Sequence, residues 1–408
     1  MNSSCRFCGG PLGTVFADLG LTPLANSYVA PERTGEGEMF LPLKALVCHE
    51  CLLVQLEAYE TPENIFSDYA YFSSYSKSWL EHAARYCEMA TRRFGLDQKS
   101  QVVEIASNDG YLLQNFHAAG VPVLGVEPAA NVAETAAAKG IPTRVMFFGV
   151  ETARGLVADG VRADLLIGNN VLAHVPDLND FVAGLKILLA PGGAVTMEFP
   201  HLLQLMLERQ FDTIYHEHFS YFSLEVVQRV FAHHGLTIFD VEELPTHGGS
   251  LRIYAGHPGA HPLAEARLQA VVSKERAAGL DRLDGYGRFE EEIRKVKRDL
   301  LRFLLDQQEQ GKVVCGYGAP AKGNTLLNYC GVGADLLRFT TDLSPHKQDR
   351  LLPGSRIPIR SPEQIAQTKP DYVLILPWNL REEISEQMAQ IRSWGGKFVV
   401  AVPSLEIF

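Results

Sequence analysis

From about residue 100 to 258, short β-type segments alternate with helical ones, and this alternation constrains the fold more than any other feature. The strand-like segments are Val102–Ala106, Val123–Glu127, Thr143–Phe147, Asp164–Asn169, Ala194–Phe199, Leu236–Val241 and Leu251–His257. Strands joined by helix-length connections lie parallel, with helices covering the faces of the sheet. The last two segments differ, because Thr246-His-Gly-Gly-Ser250 is too short for a crossover helix and forces antiparallel pairing. The expectation is a seven-stranded sheet, parallel except for a reversed end hairpin.

At 408 residues the chain needs more than one core. Up to residue 60 the prominent feature is two cysteine pairs, Cys5-x-x-Cys8 and Cys48-x-x-Cys51. Four thiolates complete the closed tetrahedral set of structural zinc, whereas a redox dithiol would need only one pair. Residues 1–60 therefore read as a zinc-binding module, 61–260 as the central domain and 261–408 as a third unit. Residues 61–97 read as helical, with Tyr69, Tyr71 and Tyr75 clustered where they serve either a core or a pocket. Residues 262–310, rich in Ala, Glu, Arg, Lys and Leu, read as one or two long helices. A smaller Rossmann-like α/β unit follows, with strands at Lys312–Tyr317, Arg338–Thr341, Tyr372–Leu376 and Lys397–Val402 and helices from Asn324 and over Arg381–Trp394.

Composition excludes several functions. An apolar fraction of 46% with 21% charged residues belongs to a globular protein. The net charge of −11 opposes general binding to nucleic acid or anionic membranes. No apolar run approaches the roughly 20 residues that span a bilayer, and no signal pattern opens the chain. A cytoplasmic protein with reduced cysteines is expected, and a monomer would suffice for the site.

The loop after the first central strand reads Glu104-Ile-Ala106-Ser-Asn108-Asp-Gly110 and runs into Tyr111-Leu112. Open α/β sheets bind ligands outside the carboxyl ends of their strands, where this loop lies. Glu127-Pro128 ends the second strand, placing a carboxylate to accept both hydroxyls of a ribose. Phe147 ends the third, and Asn169 and Asn170 follow the fourth. Pro191-Gly-Gly193 reads as the loop before the fifth. The first turn lacks the G-x-G-x-x-G fingerprint, so adenosine without a pyrophosphate fits it better than a dinucleotide. Sheet and loop together are the arrangement of class I S-adenosylmethionine (SAM) methyltransferase domains.

The densest chemical signal is Phe211-Asp-Thr-Ile-Tyr-His-Glu-His-Phe-Ser-Tyr-Phe222, with Ser223 placed to cap a helix that ends near His233, His234 and Gly235. In an extended segment His216 and His218 share one face and Glu217 takes the other. Three readings stay open: a general-base site, a His/Glu metal site completed by His174 or His201, and a satisfied structural cluster.

These segments together resemble the nucleotide-sugar C-methyltransferases that make branched deoxysugars. The likeness spans nearly the whole chain. It is carried by the cysteine pairs, EIASNDG, the Tyr215–Tyr221 stretch YHEHFSY, His247-Gly-Gly-Ser-Leu-Arg252 and Gly316-Tyr-Gly-Ala-Pro-Ala-Lys-Gly-Asn-Thr-Leu-Leu-Asn328. The resemblance implies an N-terminal zinc module, a central SAM domain and a C-terminal domain that helps to hold a dTDP-like sugar. It implies removal of a proton beside the ketone of a 4-keto-6-deoxyhexose, and attack of the enolate carbon on the SAM methyl group. It selects His218 as the base, with Tyr215 and Glu217 nearby, His174 at the enolate, and Tyr71 from the N-terminal side of the pocket. Substrate-side candidates are Glu198, His201, His247, Gly249, Ser250, Arg252, Lys322, Asn324 and Arg356.

One segment supports a rival function. Gly316-x-Gly318-x-x-Ala321 between a strand and a helix satisfies the dinucleotide pattern, and Asp342 ends a later strand. An NAD(P)-dependent sugar ketoreductase, alone or combined with methyl transfer, is therefore the alternative. Lys322 and Asn324 extend the motif and favour a sugar diphosphate instead. The segment 341–350 and Pro353-Gly-Ser-Arg356 would close over that pocket. A zinc module that positions an RNA or protein methyltransferase is a third reading, opposed for RNA by the acidic charge.

Overall fold

The computed structural model describes residues 4–61 and 73–408; Tyr69 and Tyr71 lie outside them. The described strands form three sheets. The first contains β1 (Leu12–Thr22), β2 (Leu41–Cys48) and β3 (Val54–Leu56), all antiparallel. The central sheet contains β4 (Val102–Ile105), β5 (Val123–Val126), β6 (Thr143–Arg144), β7 (Ala163–Asn169) and β8 (Leu189–Pro200). A two-residue strand, β9 (Ser220–Tyr221), then leaves the central domain and pairs with β3, completing the first sheet. β10 (Thr237–Leu244) and β11 (Ser250–Gly256) return to the central sheet. The third sheet holds β12 (Val314–Tyr317), β13 (Thr340–Thr341), β14 (Ile359–Arg360), β15 (Tyr372–Ile375), β16 (Lys397–Val400) and β17 (Glu406–Ile407).

The central order is β10-β11-β8-β7-β4-β5-β6. Only β11 runs against the rest: it is antiparallel to both β8 and β10, so the edge strand β10 points the same way as the others. The expected reversed hairpin is thus one reversed strand inserted next to the edge. Every residue of β4 is buried, because a parallel strand is covered by helices on both faces. Two other expectations change. β6 stops at Arg144, leaving Phe147 beyond it, and Pro191-Gly-Gly193 lies within β8 beside an irregular step in its register.

From β4 the chain winds outward through β5 and β6, then restarts on the other side at β7 and β8. The reversal leaves a crevice at the carboxyl ends of β4 and β7. The third sheet repeats the device. Its order β14-β13-β12-β15-β16-β17 places the reversal between β12 and β15, and only β17 is antiparallel.

The long helical region is two helices, Glu265–Ala277 and Phe289–Glu309. The first packs on β10 and the helix Leu224–His233; the second packs on β1 and the helix Ala321–Cys330. Phe16 of β1 stacks on Phe289 with ring centres 4.4 Å apart. Helix Arg381–Gln387 ends early, and 3-10 turns continue it to Trp394. Among the described residues, no helix is long and apolar enough to cross a membrane.

Cys5, Cys8, Cys48 and Cys51 converge, with all four sulfurs within 4.8 Å of one another. A tetrahedral zinc with Zn–S of about 2.3 Å sets its sulfurs about 3.8 Å apart, so the cluster fits that ion. Gln55 Nε2 donates to Cys5 Sγ (3.1 Å) and the Glu50 amide to Cys48 Sγ (3.4 Å), bonds that stabilise thiolates. The protein carries this one structural zinc, and with four protein ligands it has no open position for chemistry. We expect Cys48→Ser to bind less than one zinc per chain and to lose at least about 3 kcal/mol of stability. Metal analysis and denaturant unfolding check this.

Candidate active site

The crevices of the central and third sheets open into one cavity of about 740 Å³. From the central sheet, Ala106, Asn108 and Tyr111 line it after β4, Glu127 and Pro128 after β5, and Asn169 and Asn170 after β7. Phe147 lines it from beyond β6. Glu127 is buried and accepts from the amides of Asn108 and Ala129, both at 2.9 Å. Each carboxylate oxygen keeps a second lone pair for a ribose hydroxyl. Both amide atoms of Asn169 are buried without a hydrogen-bond partner among the described residues. Such atoms are costly unless a ligand satisfies them, so this end suits the polar parts of SAM. Gly110 turns the loop at φ +75, and a Cβ there would press on Ile141 at 3.1 Å. Glu104, Gly110 and Leu112 stand behind the lining. Burial, with Glu127 and Asp109 nearby, raises the Glu104 pKa well above the carboxylate range.

The second wall is Thr213, Tyr215, His218 and His174. Residues 215–218 form a turn closed by the His218 amide on the Tyr215 carbonyl (2.8 Å), so the extended arrangement expected for this stretch is replaced. The turn sends the two histidines apart. His216 Nε2 donates to the Pro42 carbonyl in the first sheet (3.1 Å), away from the cavity. His218 Nδ1 donates to the Thr213 carbonyl (2.8 Å). A carbonyl only accepts, so Nδ1 carries the proton and Nε2 keeps its lone pair. Burial, then His174, pushes the His218 pKa well below the usual histidine value. Its ring lies 4.6 Å from that of His174 and 4.1 Å from that of Tyr215. Burial lowers the His174 pKa to about 4. Ser223 caps the following helix through the Val226 amide (3.3 Å).

The third wall is Pro320, Ala321, Lys322, Lys347 and Asn379. Lys322 Nζ donates to Asn379 Oδ1 (2.7 Å) and lies 4.7 Å from the centre of the Trp378 ring. Trp378 Nε1 in turn donates to the fully buried Asp212 (2.7 Å). In the glycine loop, the Gly318 amide donates to Thr341 O (2.6 Å) and the Ala319 amide to Asp342 Oδ2 (2.8 Å). Pro320 has no N–H. Between Gly318 and Pro320 the turn therefore offers no free amide, and Asp342 accepts from within it. The first-turn amides of the helix Ala321–Cys330, beside Lys322, are the donors an anion would meet in this wall.

Of the other substrate-side candidates, only His247 reaches the cavity. Asn170 Nδ2 lies 3.0 Å from its Nε2, and Trp79 packs on its ring with centres 5.0 Å apart. Glu198 and Arg252 instead form a buried ion pair (2.6 Å) joined by Glu242 (3.3 Å) and His82 (2.9 Å from Glu198). Burial works to raise the Glu198 pKa, but His82 and Arg252 hold it at about 2. Thr246 Oγ1 donates to the same carboxylate (2.8 Å), so this pair anchors the turn that carries His247. His201 is bonded to Glu275 (2.7 Å) and, with Gly249 and Ser250, borders a separate cavity of about 430 Å³. Asn324 donates to Ala25 O (2.6 Å), and Arg356 is held by Glu38 and by the carbonyls of Thr34 and Glu36. Among the described residues the four cysteines are the one metal-holding group, so His174 and His201 complete no second site. The structure adds Trp79, His82, Lys347, Asn379 and the Thr213 carbonyl to this region. Trp79 and His82 sit three residues apart on the helix Lys77–Phe94, a spacing that marks a common face; a backbone carbonyl leaves no sequence signal.

Three family models match successive parts of the chain. They are described as a candidate zinc-binding domain over residues 5–66, a methyltransferase domain over 79–241 and a C-methyltransferase C-terminal domain over 245–403. The C-methyltransferase NovU of Streptomyces niveus is 37% identical over 399 residues, covering 98% of this chain and 95% of NovU. A SAM-dependent methyltransferase from Clostridium acetobutylicum is 11% identical with a TM-score of 0.37, covering 44% of this chain and 92% of its own. Magnesium protoporphyrin IX methyltransferase from Synechocystis, solved with SAM, is 13% identical with a TM-score of 0.32, covering 44% and 78%.

The buried histidines make a stability prediction. His174 and His247 both have folded pKa values lowered by burial to about 4, so the unfolded chain binds more protons below its own value near 6.5. Their contribution is complete above pH 6.5 and is lost as pH falls toward 4, on the order of 2 kcal/mol per imidazole at pH 5. Asp212, raised to about 6, and Glu104, raised well above the carboxylate range, both by burial, offset part of this, and His218, lowered by burial, adds to it. Urea unfolding at pH 7.5 and pH 5 should show lower stability at pH 5.

Proposed function

Because this chain belongs to the family of SAM-dependent C-methyltransferases, we propose that it methylates the carbon beside the ketone of a nucleotide-bound 4-keto-6-deoxyhexose, at C3 of a dTDP-linked sugar. The observation that carries this reading is the fixed tautomer of His218. A neutral imidazole with its Nε2 lone pair available stands in the cavity that also holds the SAM crevice and the Lys322 pole. C-methylation needs a carbon nucleophile, and a ketone acidifies the neighbouring C–H enough for histidine to act as the base.

His218 Nε2 takes that proton, and the electron pair of the broken C–H bond moves into an enolate. His174 and Tyr215, whose rings flank His218, are placed to donate to the enolate oxygen. His174 is neutral and therefore keeps both a donor and an acceptor nitrogen. SAM, when bound, supplies an electrophilic methyl group on a sulfonium. Glu127 would hold its ribose, and Asn169 its polar amino-acid end. Lys322 and the adjacent helix amides anchor the diphosphate, leaving the hexose between that pole and His218. Tyr71 remains a proposed contributor outside the described residues.

Incubation with SAM and a dTDP-4-keto-6-deoxyhexose should add one methyl group to the sugar nucleotide by mass spectrometry. No turnover across a panel of such ketosugars would overturn the substrate class. His218→Asn should lower turnover by about 10²- to 10⁴-fold while SAM affinity stays unchanged; wild-type rates would remove His218 as the base. A base with a lowered pKa stays neutral to lower pH. The kcat/KM profile should therefore stay level as pH falls through 6.5 and decline only well below it.

A further inference from the structure

Glu217 is adjacent to the base, yet its carboxylate is not directed at His218. It is 3% exposed and accepts from Asn26 Nδ2 of the N-terminal module at 2.6 Å. Asn26, unlike Glu217, lines the cavity, as do Tyr215 and His218. Building on the ketosugar reading above, we infer that Asn26 contacts the hexose and that Glu217 is a positioning residue acting through it.

The geometry fixes the amide in place and orientation. The Asn324 side chain donates to Ala25 O (2.6 Å), and Tyr28 OH donates to Ala319 O (2.5 Å), so Asn26 is tied on one side to the helix Ala321–Cys330 and on the other to the glycine loop. Tyr28 OH also lies 3.3 Å from Asn26 Oδ1. Asn26 Nδ2 donates to Glu217 Oε1, so the NH₂ end of Asn26 faces Glu217 and the carbonyl end faces Tyr28. One amide hydrogen is used on Glu217. Tyr28 gives its one hydroxyl proton to Ala319 O, so the second amide hydrogen and Oδ1 are available at the cavity wall, a donor–acceptor pair suited to ring hydroxyls and the ketone. The acceptor sugar is thereby read by the module that carries the zinc, while the diphosphate is read by the C-terminal unit. A pre-oriented amide is worth more than a mobile one because its ordering cost is already met.

This assignment separates the sugar from the nucleotide, and so does its test. Calorimetry would compare thymidine diphosphate with a dTDP-4-keto-6-deoxyhexose on the zinc-loaded full chain. Asn26→Ala should weaken binding of the sugar nucleotide about tenfold, with thymidine diphosphate and SAM affinities unchanged. Glu217→Ala should give a similar loss, Glu217→Gln should recover part of it by keeping an acceptor, and the double alanine variant should add little further. Unchanged sugar-nucleotide affinity in Asn26→Ala overturns the inference. Equal losses for both ligands also overturn it, because they report a structural defect. Wild-type protein that binds thymidine diphosphate no more weakly than the sugar nucleotide overturns the ketosugar reading itself, before any variant is compared.

Discussion

The hydrogen bond from His218 Nδ1 to the Thr213 carbonyl decides what this site can do. It turns a histidine of two equivalent tautomers into one with a defined lone pair. The bond spans five residues, but its setting is not local. On one side, Asp212 is held by Trp378 of the C-terminal unit. On the other, Ser220 and Tyr221 form a strand of the N-terminal sheet, and Phe219 N donates to Ala173 O beside His174 (2.7 Å). The segment from Phe211 to Tyr221 is thus fixed by all three parts of the chain. The zinc cluster stands far from His218 in sequence, but the sheet it anchors holds one end of the segment that carries the proposed base.

Burial explains the electrostatics of the cavity. Imidazoles are cheaper to bury neutral than charged, and neutral is the form a proton-abstracting histidine needs. The same low dielectric makes unpaired charge expensive, so the charges that remain inside are matched. Arg252 pairs with Glu198 and Glu242, and this pair fixes the turn that presents His247. Lys322, whose own pKa burial lowers, is supported by the Trp378 ring and faces the cavity, where an anionic ligand would complete its pairing.

Sequence disclosed most of the fold because its signals are periodic and local. Continuous apolar segments marked β4, β5 and β7, the short turn between β10 and β11 required antiparallel pairing, and paired cysteines marked the metal cluster. Carbonyls and side chains that meet across long separations left no such trace. Arg252 and Glu198 lie at strand ends, where a polar residue can face either a crevice or a neighbour, and the structure shows the neighbour. Arg356 and Asn324 were expected at the substrate; they instead hold the segments 34–38 and 25–28 in place. Asn26 carried no motif, because its partner Glu217 is 191 positions away. The Gly316–Ala321 loop matched a dinucleotide fingerprint in letters, but letters do not show that its Gly318 and Ala319 amides are held by Thr341 and Asp342.

Proton abstraction and methyl transfer can be observed separately, and the first is the central claim. The C3 proton of a dTDP-4-keto-6-deoxyhexose can be followed by NMR in D₂O with S-adenosylhomocysteine in place of SAM, so that no methyl group is transferred. The wild-type protein should exchange that proton for deuterium, and His218→Asn should leave it in place on the same timescale. Exchange at the wild-type rate in His218→Asn would show that another group removes the proton.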